Sequence, residues 1–344
     1  MYRTVTIIVL GLVAAATLAD VNELPDPLFQ DNETLQVTMT APFTTLIRER
    51  PKDDYLTGVF QYTESDGTTV KLDLEIRTRG NFRHKNCKYP PLRLNLKKSQ
   101  ARGTMFDKQN KLKLVIPCDY SAKYEQVVLR EYLAYRILNA VTNMSFRVRL
   151  LRVAYVNTEV KRRGEIRYGF LIEHKNRLAK RYDLKVLEVE RINVVSIQPD
   201  QLNLTSVFGF LIGNTDFSPI AGAPGNECCH NYVLFGNDID PVIAVPYDFD
   251  QAGFIDAPYA TPNQRFRISN VRQRLYRGRC VNNEHVAASL RRFRDHRDSI
   301  YALINEQEGL NSRVRAKLIR YIDDFYKLIS NPKDVERKMT KKCV

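Results

Sequence analysis

Residues 70–78 read VKLDLEIRT, a strict exchange of apolar and charged side chains, and this period of two constrains the fold more than any other feature. Successive side chains of a strand point to opposite faces, so the pattern describes a half-buried strand. A helix would repeat its apolar positions every three or four residues instead. Residues 92–96 alternate in the same way, 111–116 follow with KLKLVI, and 35–39 and 58–63 are further strand candidates. The period then changes. Val128, Tyr132, Tyr135 and Leu138 recur at helical steps within 122–142, behind Ser121 as an N-cap. Two more strands are expected at 147–156 and 168–173, joined by a charged turn. An amphipathic helix is expected at 200–212, and two or three more from residue 283 onward. The expected plan is α+β and two-lobed. Residues 35–174 form a β-rich half with one embedded helix, and 175–344 a mainly helical half broken by one hairpin. Residues 20–34, polar and proline-bearing, read as a linker, and no internal repeat is present.

Residues 1–19 read as a secretory signal. Arg3 supplies the positive start, 6–16 are apolar but short for a bilayer, and Thr17-Leu18-Ala19 gives a small-x-small end. The alternative is an uncleaved anchor. No later stretch is long and apolar enough to span a membrane, so the mature chain is expected to be exported, periplasmic or secreted, and soluble. Six cysteines lie beyond the signal, and an oxidising compartment would pair them. Cys87 with Cys118 is one expected pair, and Cys228 or Cys229 with Cys280 another. Zinc is the rival reading, but no C-x-x-C spacing supports it and His230 is the only nearby histidine. The formal net charge is +14, yet basic residues are spread among acidic ones and no nucleic-acid-binding motif occurs. No nucleic-acid partner is expected; phosphate or an acidic partner fits the charge better.

Chemistry concentrates in 213–253: GNTD, a turn-rich insert, HNYVLF, a polar break at 236–241, then VPYDFDQAG. Asp216, Asn231, Asp248 and Asp250 each sit at the edge of an apolar run. A hairpin over 233–245 would bring Asn231 close to Asp248. Oxygen donors of this kind suit Mg²⁺, which takes one or two carboxylates plus substrate phosphates. The order Asp, Asn, hairpin, Asp-Phe is also that of the phosphoryl-transfer site in protein kinases.

These motifs resemble the CotH-type atypical protein kinases, with the site logic of HipA-type kinases. Arg79-Gly80-Asn81, KLKLV and GFLIE extend the resemblance over roughly residues 73–257. It implies a protein-kinase-like fold whose β-rich N-lobe carries one helix and whose helical C-lobe carries a metal-site hairpin. It also implies Mg- or Mn-bound ATP as donor and a protein Ser, Thr or Tyr hydroxyl as acceptor. Asp216 would be the catalytic aspartate. Asn231 and Asp248, with Asp250, would hold the metal. Arg79 and Gly80 would cover the phosphates, Lys113 would contact them with Glu131 as its partner, and Glu173 would lie at the hinge near the adenine.

Two departures stand out. Fourteen residues separate Asp216 from Asn231, against four in ordinary protein kinases. The covering loop has one glycine where those kinases have three, so arginine and lysine would replace backbone amides there. Lys111, Arg93 and Lys97 compete with Lys113 for the phosphate. Plainer readings remain beside these: an Asx turn for Asp216, a structural calcium pair for Asp248 and Asp250, a solvated Glu131, and a locally bonded His230. A kinase-fold binding protein without turnover and a metal-dependent phosphoesterase are the alternative functions, the latter disfavoured by five scattered histidines.

Overall fold

Seven strands close into a barrel in the computed structural model, which describes residues 23–161, 164–223 and 225–344. They are β1 (Leu35–Ala41), β2 (Leu56–Thr63), β3 (Thr69–Thr78), β4 (Leu92–Leu96), β5 (Lys111–Val115), β6 (Val148–Asn157) and β7 (Ile166–Ile172), in the order β1-β2-β3-β4-β5-β7-β6. The alternation seen in the sequence decides their faces. Leu72, Leu74 and Ile76 of β3, Leu94 of β4, and Leu112 and Leu114 of β5 fill the interior. The charged residues between them point outward.

The expected two-lobed kinase-like plan is not what forms. β1 pairs antiparallel with β2 and also parallel with β6, where Leu35 to Ala41 lie opposite Leu151 to Asn157. A strand bonded on both sides leaves no edge, so the sheet closes where an open lobe would stop. The first half also holds more than one helix. Short α1 (Phe43–Glu49), α2 (Phe82–Asn86) and α3 (Lys98–Ala101) accompany the long α4 (Ala122–Val141).

Beyond the barrel come α5 (Lys175–Arg181), β8 (Lys185–Leu187), α6 (Pro199–Ile212), β9 (Tyr232–Gly236) and β10 (Ile243–Pro246). A helical region follows, with α7 (Val286–Asp295), α8 (Arg297–Glu306), α9 (Ser312–Ile329) and the short α10 (Pro332–Val335). The expected hairpin is part of a three-stranded sheet, β10-β9-β8, because β8 adds to its outer edge. One core joins α4 and the outward faces of β6 and β7 to α6 and the C-terminal helices. Helix α6 is not amphipathic. Every residue from Gln201 to Ile212 is buried, and its polar groups bond internally: Asn203 Nδ2 donates to Tyr276 Oη (3.2 Å) and Asn282 O (3.1 Å), and Ser289 Oγ donates to Asn203 Oδ1 (2.8 Å).

Within the expected linker, residues 23–34 are docked on the body. Leu28 and Phe29 are buried, and Asp26 receives Arg177 and Gln109. The expected signal segment lies outside the described residues. No described helix is long and apolar enough to cross a membrane. Cys87 pairs with Cys118 as expected. The second expected pair does not form, since Cys228 bonds its neighbour Cys229 and Cys280 bonds Cys343. The reason is placement: the C-terminal residues return beside Cys280, where Cys280 N–H meets Val344 O and Val344 N–H meets Gly278 O.

Candidate functional site

Eight of the nine residues singled out from the sequence line one cleft of about 1290 Å³: Arg79, Gly80, Lys113, Glu131, Asp216, Asn231, Asp248 and Asp250. The outward face of β4 and β5, the α2 segment and α4 supply one wall. The loops following α6 and β10 supply the other.

Backbone contacts hold the acidic wall. Helix α6 ends at Gly213, whose φ of 66° carries the chain out of the helix. A side chain there would meet Tyr321 Oη at 2.2 Å, so glycine is required for close approach as well. Gly253 N–H then bonds Gly213 O (3.1 Å) and Phe254 N–H bonds Ile212 O (2.8 Å), which fastens the segment after Asp250 to the segment before Asp216. The long insert does not separate Asp216 from Asn231. Ser218 and His230 bridge across it, and Asn231 Nδ2 donates to Asp216 O (2.7 Å) and Oδ2 (3.1 Å). His230 Nε2 lies 2.8 Å from Asp216 Oδ1, and this bond raises the histidine pKa against its burial. His230 is thus the locally bonded residue expected of it.

The hairpin register sets Pro246 opposite Tyr232, and Tyr247 N–H bonds Asn231 O (3.0 Å), so Asn231 and Asp248 come together at the strand ends. Both have left-handed backbones, φ 55° for Asn231 and 62° for Asp248. Such conformations cost on the order of 1 kcal/mol for residues with a side chain and gather at functional sites. Asp248 N–H donates to Tyr135 Oη (2.9 Å), which fastens the left-handed turn to α4. Asp250 is 7% exposed, and its pKa rises to about 7, first through burial and then through Asp248.

The opposite wall is cationic. Across neighbouring strands Arg77 faces Arg93, and Arg93 faces Lys113, a row of like charges that destabilises a sheet unless an anion lies against it. Burial, then Arg79, brings the Lys113 pKa down to about 7, and its Nζ sits 4.5 Å from the Tyr247 ring centroid. Burial also lowers the Arg79 pKa, with Asp248 acting in the other direction. Gly80, at φ 86°, turns the chain from Arg79 toward α2.

Two expected pairings differ. Glu131 meets Arg83 Nη1, from α2, at 3.7 Å rather than Lys113. Burial, with Asp250 and Asp248 nearby, raises the Glu131 pKa to about 8 in spite of Arg83. Glu131 Oε2 and Arg83 Nε have no hydrogen-bond partner among the described residues. Glu173 is outside this cleft. Its carboxylate takes Arg181 on both oxygens (2.9 and 3.0 Å) and the Arg147 N–H (3.0 Å), an internal ion pair that occupies the side chain. It borders a smaller cavity of about 380 Å³ that shares Arg93, Lys113 and Tyr247 with the main cleft. Arg83 was not singled out in the sequence, although it stands four residues after Arg79 in the same basic loop.

For a cation the donor set is small. No group of three or more His, Cys, Asp and Glu side chains is arranged to hold a metal among the described residues. Asp248, Asp250 and Asn231 line the cleft with hard oxygen donors, and a cation held by them would have to complete its shell with water and phosphate oxygens. No family model matches the chain, and no curated protein matches it, so the resemblance to CotH-type kinases rests on the motifs themselves.

Proposed function

We propose that the chain is an exported phosphotransferase of the CotH-like kind, moving the γ-phosphoryl group of ATP to a hydroxyl on a protein. The single observation that carries the reading is the convergence of a cationic wall (Arg79, Arg83, Arg93, Lys113) and an acidic wall (Asp216, Asn231, Asp248, Asp250) in one cleft. Triphosphate would lie along the first wall, where it would neutralise charges that otherwise repel. A divalent cation bound by Asp248, Asp250 and the Asn231 amide oxygen would offset negative charge on the phosphates. Asp216 would orient the acceptor hydroxyl and take its proton as the oxygen bonds to the γ-phosphorus. The bond from that phosphorus to the bridging oxygen breaks, and ADP leaves. Transfer through a loose transition state is mostly positioning, a task suited to a carboxylate held by Asn231 and His230. Export is supported by the three cysteine pairs at bonding distance.

A second reading, nucleotide binding without turnover, is favoured by one observation: both Asp216 oxygens already have partners, His230 and Asn231. Incubation of the mature protein with γ-labelled ATP, Mn²⁺ and a mixed protein acceptor separates the two. Label transfer that Asp216→Asn reduces about a hundredfold or more supports catalysis. Nucleotide binding with no transfer supports the second reading.

A further inference from the structure

The chain from 257 to 283 carries six arginines and no Asp, Glu or Lys: Arg265, Arg267, Arg272, Arg274, Arg277 and Arg279. Three of them hold structure. Arg272 Nη1 lies 3.2 Å from Asp256 Oδ2, Arg274 donates to Leu211 O (3.1 Å) and to Tyr321 O, and Arg277 donates to Thr215 O (2.9 Å) and Phe217 O (2.6 Å). The side chains of Arg265, Arg267 and Arg279 make no hydrogen bond or ion pair among the described residues. Arg265 and Arg267 are exposed, and Arg279 is half-buried.

The location of this segment gives the charge a purpose. Arg277 bonds the carbonyls on both sides of Asp216, and its guanidinium lies 4.6 Å from the ring centroids of both Phe217 and Phe266. Phe266 and Arg265 line the same cleft as Asp216. The arginine segment is therefore fastened to the Asp216 turn and forms one lip of the cleft. The guanidinium charges press on one another. The Arg277 pKa is pushed down to about 10, first by burial and then by Arg279, with Arg265 also lowering it and Tyr232 and Asp216 acting in the other direction. Scattered surface arginines need no explanation, since water screens them. A lip whose exposed Arg265 and Arg267 are unpaired, in a segment with no carboxylate of its own, instead leaves positive charge at the cleft edge for an anion to meet.

We propose that this lip binds the acceptor, and that the acceptor is an acidic protein segment whose hydroxyl-bearing residue is flanked by carboxylates or phosphorylated side chains. The inference rests on the phosphotransfer reading for the word acceptor, but the surface itself is testable without turnover. Arg265 and Arg267 meet the flanking charges while the hydroxyl reaches Asp216. Electrostatic complementarity of this kind selects partners and speeds their encounter.

The test compares a fluorescent peptide with one serine among glutamates to its counterpart with lysines, by anisotropy, on the mature protein. Arg265→Glu with Arg267→Glu is set beside Lys71→Glu with Lys98→Glu, an equal charge change at exposed positions on the barrel side. The expected result is tighter binding of the acidic peptide, weakened about tenfold or more by the lip substitutions and little by the barrel ones. Equal loss in both variants, or in neither, would mean a non-specific basic surface and overturn the proposal. If the lip variant also loses ATP-dependent thermal stabilisation, the arginines grip nucleotide instead, and the proposal fails. If the unsubstituted protein shows no ATP stabilisation yet binds the acidic peptide through Arg265 and Arg267, the surface stands and the phosphotransfer reading falls.

Discussion

Lys113 gives the clearest residue-scale expectation. Its pKa is lowered to about 7 in the folded chain, against 10.5 ordinarily. Between those values the unfolded chain binds more protons than the folded one, so stability rises with pH across roughly 7 to 10. Lys113→Met should flatten that rise and, without ligand, stabilise the protein near pH 7 by on the order of 2 kcal/mol. Urea denaturation at pH 7 and pH 9 measures both effects. An unchanged pH slope would mean that Lys113 is charged and hydrated in the cleft. The left-handed pair offers a second expectation. Asp248→Gly relieves backbone cost and should leave stability unchanged or raise it by about 0.5–1 kcal/mol, whereas Asn231→Gly gains the same relief but loses two bonds to Asp216 and should fall within about 1 kcal/mol of zero; both should abolish ATP-dependent stabilisation. Loss of both stability and ligand response would make these residues structural. Position along the chain made Asp216, Asn231, Asp248 and Asp250 legible as a group. The Arg83 to Glu131 pairing was not, because the two residues lie on different elements and meet only in the folded chain.

Among elements, local periodicity carried far. The expected strand at 92–96 is β4 without change, and 122–142 differs from α4 by a single residue at its end. Helix α6 misled for a physical reason. Its polar residues imply a solvent face, but all are buried: Asn203 bonds Tyr276, Asn282 and Ser289 from far along the chain, Gln201 bonds Met144 O, and Thr205 and Ser206 bond back to Leu202 O. Asn203→Ala should therefore cost about 2–3 kcal/mol, since it strands the Ser289 hydroxyl and the Asn282 carbonyl as well as removing a side chain. Equilibrium unfolding in urea checks this. A cost below about 0.5 kcal/mol would mean that the face is wet.

For the whole molecule, barrel closure is the feature that the sequence did not disclose. Each strand is written in a local pattern, whereas pairing of β1 with β6 joins residues more than a hundred positions apart and leaves no periodic mark. Closure can be tested with proline. Adjacent residues of a strand send their N–H groups to opposite neighbours, so Val37→Pro and Thr38→Pro should each destabilise by about 3 kcal/mol or more if β1 is bonded on both sides. An open sheet would tolerate one of the two. Closure also fixes where the cleft lies: β4 and β5 present Arg93 and Lys113 on the barrel's outside, while the interior is filled by leucine, isoleucine and phenylalanine. The most direct measurement is thermal stability of the mature protein with ATP and Mg²⁺ or Mn²⁺, beside Asp248→Ala. At roughly a hundred times Kd, binding should add about 2.7 kcal/mol and raise the midpoint only when metal is present, and the variant should lose the rise. No shift with any nucleotide or metal would contradict the account.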